Sequence, residues 1–213
     1  MKYIDYRLQD FVNESFSKSP TPGGGAVSAI AASLGAALGG MVCNLTIGKK
    51  KYAIHEERLE DIIGKLRVLT DEMMSFVDKD AENFIPLSKA YALPSSTEEE
   101  KEIKKKEINA AIEIACEVPK EIVKKSYEAI VLLENLSDKC SPLVISDVGV
   151  GVLLLKSGLV GGWMNVLVNI MMFDDEDYAR NIKNELMPLV TYGTIVCDRV
   201  YKYVEEYLEN QNK

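Results

Sequence analysis

EERLEDIIGKLRVLTDEMMSFVDKDAENFIPLSKAY, residues Glu56 to Tyr91, decides the fold class. Its apolar side chains at Ile62, Leu66, Leu69, Met73 and Phe76 advance in steps of four and three. That is the period of a helix with one face turned to a core. The next position in phase is Asp80, followed by Phe84, whereas Asp78 falls on nearly the opposite face. A carboxylate at a core position is costly unless something compensates it. Asp80 is therefore either a structural acid paired with a Lys or Arg of another helix, or an acid held inward for chemistry.

Helical periodicity extends in both directions from this segment. Tyr6 to Ser17 reads as a short amphipathic helix with Leu8, Phe11, Val12 and Phe16 on one face. Ser19-Pro20-Thr21-Pro22-Gly23-Gly24-Gly25 is a turn, and a long helix follows from about Ala26 to Thr46. No residue between Lys18 and Lys49 is charged, a pattern shared by membrane spans and by central core helices. Its Gly/Ala/Ser-rich interior, with Asn44 and Thr46, favours the core of a bundle. Gly35, Gly39 and Gly40 each cost about 1 kcal/mol relative to Ala, a cost that tight packing or substrate contact offsets.

Thr97 and Glu100 form a capping box ahead of a helix whose charged run, Lys101 to Glu107, reads as a solvated face. Pro119 is expected to kink or restart that helix before it resumes to about Ser137. Ser146 is placed to cap a helix from Asp147 to about Met172. Asp174 to Asp177 opens a last helix to about Glu209, kinked at Pro188. No strand-like alternation is present. The expected fold is all-α: one domain over residues 1–213, a single bundle of long antiparallel helices.

Composition narrows the function. The net charge of -8 repels phosphate backbones and argues against nucleic acid as a partner. Four scattered cysteines without a CxxC pair read as free thiols of a reducing cytoplasm, and the N-terminus lacks the apolar run of a signal peptide. The one histidine, His55, cannot by itself supply a nucleophile–histidine–acid device, and no histidine or carboxylate cluster has a metal-binding spacing. GxGxxG and Walker loops are absent.

Three features join Asp80 as candidates. Asn165 and Asn169, four apart in an apolar segment, share a helix face and suit either a heterocycle's polar edge or an interhelical hydrogen bond. Gly23, Gly24 and Gly25 lead into a helix N-terminus, whose free N–H groups can hold an anion or a polar ring edge, or simply make a tight turn. Lys49, Lys50 and Lys51 supply positive charge at the other end of that helix, as a binding element or a solvated run.

SPTPGGGAVSA at Ser19–Ala29, MVCNLTIGKKKY at Met41–Tyr52, VDKDAENF at Val77–Phe84, VISD at Val144–Asp147 and NVLVN at Asn165–Asn169 together resemble the cyclodeaminase/cyclohydrolase family over nearly the whole chain. MVCNLTIGKKKY is most similar to the stand-alone methenyltetrahydrofolate cyclohydrolases, and the lack of a transferase domain points to the same branch. The resemblance implies an all-helical fold, a tetrahydrofolate substrate of one-carbon metabolism, no metal or other cofactor, and a homodimer or higher assembly, while the small-residue interior of the uncharged segment argues against a membrane. It implies Asp80 as the catalytic acid position and Asp147 as its assistant. It further implies a pocket lined by Asp147, Asn165 and Asn169 and edged by Gly23–Gly25; on our own reading of the charges, Lys49 and Lys51 would meet the glutamate tail. Hydrolysis of 5,10-methenyltetrahydrofolate is the expected reaction. The alternatives are cyclodeamination of 5-formiminotetrahydrofolate and a non-catalytic folate-binding or scaffold protein, its pocket blocked by Trp163 and Met164. The family commonly has Gly-Asn ahead of its SD pair, where this chain carries Cys140-Ser141.

Overall fold

The computed structural model describes residues 2–173 and 175–210. Six α-helices carry the fold: α1 (Leu8–Phe16), α2 (Gly24–Asn44), α3 (Glu56–Tyr91), α4 (Glu98–Ser137), α5 (Ile145–Met171) and α6 (Glu176–Asn210), with no strand among the described residues. The Asp80 stripe behaves as its period demands: Ile62, Leu66, Leu69, Met73 and Phe76 are all buried. Each such side chain removed from water contributes roughly 1.5–3 kcal/mol.

Helices α2 and α5 pack against each other antiparallel. The approach is close because small residues line the seam. A Cβ on Gly35 would lie 2.6 Å from the Gly151 carbonyl oxygen, and one on Gly158 would lie 2.6 Å from the Ala32 Cβ. Helix α3 runs antiparallel to α2 on its other flank, α4 packs on α3 and α5, and α6 packs on α5 and α4. The small-residue character of α2 thus follows from its place between two neighbours. Gly24–Asn44 and Pro142–Met171 are each long and apolar enough to cross a bilayer, with 56% and 44% of those spans buried inside the bundle.

Several local expectations need correction. Helix α4 neither breaks nor restarts at Pro119, but runs unbroken from Glu98 to Ser137 behind its Thr97–Glu100 capping box. Pro119 has no N–H to offer the Ala115 carbonyl one turn back. The Asn169 carboxamide donates to that oxygen at 3.1 Å. Pro188, where a kink is expected, lies within α6, which runs from Glu176 to Asn210 as one helix as the sequence indicates. Helix α5 starts at Ile145 after a single turn of 3₁₀ helix, so Ser146 is inside the first turn and caps nothing. The cap of α6 is Asp175, whose carboxylate accepts the N–H groups of Asp177 and Tyr178. Asp174 lies outside the described residues. Of the apolar face expected on α1, Phe11 alone is buried, edge-on to Tyr3, while Leu8 and Phe16 stay 77% and 93% exposed.

Candidate active site

The N-terminus of α2 leaves its first N–H groups without intrahelical partners. Its N-cap residue, Gly23, has no side chain to serve them. The partner comes from α3: Asp80 Oδ2 accepts the Ala26 N–H at 3.0 Å. Asp80 therefore caps α2 from a neighbouring helix, and the positive end of the α2 dipole faces its charge. Burial opposes ionisation more strongly than this hydrogen bond favours it. The Asp80 carboxyl is pushed up to about 6 by desolvation, with the Ala26 N–H pulling the other way.

The glycines are explained by the same geometry. A Cβ at Gly25 would sit 2.1 Å from Asp80 Oδ1, closer than any real contact, so this position excludes a side chain. A Cβ at Gly24 would lie 3.1 Å from Asn165 Nδ2. Asn165 thereby stands over the same helix end from α5, its amide donating to the Gly161 carbonyl at 2.8 Å. The preceding loop is tied down by Tyr3, whose hydroxyl bonds Thr21 and whose backbone N–H donates to Asp78. Asp78 and Asp80 thus do different work, as their opposite helical phases foretell. On the Asp78 side of α3 lies a cavity of about 370 Å³ lined by Tyr3, Thr21, Asp78 and Glu82, and Asp80 is not part of that lining.

The remaining sequence-predicted residues lie elsewhere. Asn169 shares a face with Asn165, but its amide is engaged by Ala115. Lys49, Lys51 and Asp147 gather toward the far end of α2, which is about 30 Å from Gly24 at 1.5 Å per residue. There Thr46 Oγ1 accepts the Ser141 N–H at 3.0 Å, and Lys49 Nζ donates to Ser141 Oγ at 3.2 Å. The Cys140-Ser141 pair is thereby built into the joint. The Lys51 ammonium sits over the Tyr52 ring at 5.6 Å, and Asp147 lies half-buried in the first turn of α5. Trp163 is buried, and Met164 is exposed. Among the described residues no three His, Cys, Asp or Glu side chains gather at a metal-binding spacing. All four cysteines are unpaired and buried. Two elements had no sequence signal: the Ala26 N–H, which is backbone, and Tyr3, which is remote in sequence from the loop it holds.

Comparison with known proteins agrees with this architecture. The family model for formiminotransferase-cyclodeaminase matches residues 7–187. A methenyltetrahydrofolate cyclohydrolase of Methylorubrum extorquens is 37% identical over 93% of this chain and 95% of its own. The formimidoyltransferase-cyclodeaminase of Gallus gallus is 33% identical over 86% of this chain, which spans 33% of that longer protein. The crystal structure of a formiminotetrahydrofolate cyclodeaminase from Thermotoga maritima superposes with a TM-score of 0.80 at 25% identity, covering 98% of both chains. A six-helix bundle with an inward acid capping a glycine-led helix, matched over most of its length by these proteins, belongs to the formiminotransferase-cyclodeaminase family.

Proposed function

We propose that this chain is a methenyltetrahydrofolate cyclohydrolase, hydrolysing 5,10-methenyltetrahydrofolate to 10-formyltetrahydrofolate. One observation carries the mechanism: a half-buried carboxylate at a core position, Asp80, whose affinity for a proton is raised toward neutrality. The methenyl carbon sits in a cationic N–C–N unit. A water oxygen adds to that carbon, and Asp80 takes the proton the water loses. The resulting carbinol carbon is bonded to both N5 and N10. Its C–N5 bond breaks as the hydroxyl becomes the formyl carbonyl, the hydroxyl proton passes to N5, and Asp80 releases its own proton to solvent. One proton is released overall, and no resident cofactor is needed for such acid–base chemistry.

Asn165, on the same helix end, reads the pterin or the bridge, and Gly23–Gly25 let the ligand approach the backbone. Asn169 supports this from one turn further along by holding α4 to α5. Asp147, Lys49 and Lys51 act across a homodimer. The support for that assembly is an uncharged outer face: Leu34 and Met41 on α2, and Val150, Leu153, Met164 and Val168 on α5, are all exposed. An antiparallel pairing there brings the lysine end of one copy to the acid end of the other. The unpaired thiols suit a cytoplasmic enzyme.

Cyclodeamination is the second reading, favoured by the likeness to the Thermotoga maritima cyclodeaminase. N10 would attack the 5-formimino carbon, and the tetrahedral carbon would expel ammonia. The test supplies purified protein with each substrate separately and follows methenyl absorbance and ammonia. Loss of the methenyl band without ammonia release is the expected result. Ammonia release from the formimino substrate alone would move the assignment to the deaminase, and inertness toward both would leave a non-catalytic protein.

A further inference from the structure

Ile114 and Ala115 are neighbours on α4, and each of their carbonyl oxygens takes a carboxamide from a different helix. The Asn83 amide of α3 donates to Ile114 at 3.0 Å, and the Asn169 amide of α5 donates to Ala115 at 3.1 Å. Pro119 accounts for the second bond, because it leaves the Ala115 oxygen without a donor one turn on. It does not account for the first. In a continuous α4 the Ile114 oxygen already has the Val118 N–H, so Asn83 occupies a spare lone pair.

The reason for that bond lies on α3. Pro86 stands inside this helix and has no N–H for the Glu82 carbonyl four residues back. The turn that follows Asp80 is therefore one hydrogen bond short, within a helix that runs from Glu56 to Tyr91. Asn83 sits in that turn, three residues past Asp80 and on the same side of the helix. Its bond to α4 ties down a stretch whose own ladder is interrupted. Asn169 stands in the same relation to Asn165, four residues on. Asp80 and Asn165 are thus each followed, one turn later, by a carboxamide fixed to adjacent carbonyls of α4.

Resting on the hydrolase reading above, we propose that Asn83 is a positioning residue for Asp80, setting together with Asn169 the separation between the carboxylate and Asn165. Helix α4 is the common reference for both. A general base works only with its oxygen in hydrogen-bond reach of the attacking water, while Asn165 holds the ligand from the α5 side. Asn83 touches neither, and so acts on the chemical step rather than on binding.

Steady-state kinetics of methenyl hydrolysis test this through the split between kcat and KM. Asn83→Ala should lower kcat about tenfold and leave KM within about twofold, a smaller loss than the roughly hundredfold cost of a 1 Å misplacement. Asn83→Leu, closer in volume and equally without a donor, should match it. Asn83→Gln keeps the donor and should retain most of the rate. The Asn83 bond is open to solvent, where water can replace it, so the melting temperature should hardly move. The most specific variant restores the missing N–H. In a Pro86→Ala background, Asn83→Ala should cost no more than about threefold in kcat, because the two defects are coupled. Unchanged kcat in Asn83→Ala and Asn83→Leu overturns the inference. So does a raised KM at unchanged kcat, and so does a full tenfold loss that persists in the Pro86→Ala background. A wild type inert toward the methenyl substrate removes the hydrolase reading and this inference with it, whereas equal rates in wild type and variants remove the inference alone.

Discussion

The two ends of α2 are built from similar materials and behave differently. At its N-terminus Asp80, Gly24, Gly25 and Asn165 converge from three helices, and a carboxylate is held against the Ala26 N–H with its proton affinity raised. At its C-terminal end Thr46 Oγ1 and the Ser141 N–H pair with each other and close a joint between segments, while the Lys49 ammonium keeps donors free beyond its bond to Ser141 Oγ. The difference is one of compensation. A joint is finished when its donors and acceptors are paired. The Asp80 end keeps a desolvated acid without a cationic partner, and this is what supports the proposal that it receives a cationic ligand.

The sharpest way to break this contrast is Asp80→Asn. Loss of a general base should lower kcat/KM by about 10³ in the methenyl absorbance assay. In wild type, kcat/KM should rise with pH through an apparent value near 6 as Asp80 ionises, and the variant should lose that limb. Retention of the limb would assign it to another group. The same variant should be more stable than wild type at pH 8. Because the folded pKa lies above its unfolded value, the group stabilises the fold below about 4. This benefit fades as pH rises through about 6, so removing the charge should gain on the order of 2 kcal/mol at pH 8 and nothing at pH 3.5, by thermal melts.

Gly25→Ala is next in size. The new Cβ must displace Asp80, so turnover should fall about a hundredfold and stability by about 1–3 kcal/mol. Combined with Asp80→Asn, the loss of turnover should not add, because both changes remove the same carboxylate geometry. At the other end of α2, Asp147→Asn should cost roughly tenfold in turnover, a typical weight for an assisting charged contact. That contribution should vanish in wild type on dilution below the dimer dissociation range. A loss in wild type independent of concentration would place Asp147 in service of its own chain. The smallest effect is structural. Asn169→Ala should cost about 1–2 kcal/mol by orphaning the Ala115 carbonyl, and most of that cost should disappear in a Pro119→Ala background, where the N–H returns.

Much of this site could be read before any coordinates. The step pattern from Ile62 to Phe76 turned Asp80 inward and Asp78 outward, and both assignments follow from 3.6 residues per turn. The four-residue spacing of Asn165 and Asn169 correctly gave a shared face. It could not divide their labour, because that depends on Pro119, which is on another helix and frees a carbonyl under one of them. The face expected on α1 failed for a related reason: periodicity says which residues share a side, not whether anything covers it.

The sequence by itself determined the helices, the inward acid and the glycine-led turn, since these rest on local period, propensity and sterics. The tertiary structure alone decided which end of α2 each motif occupies, because an antiparallel pairing of long helices carries residues close in motif order about 30 Å apart. It also set the proton affinity of Asp80, which depends on the neighbours that exclude water from it.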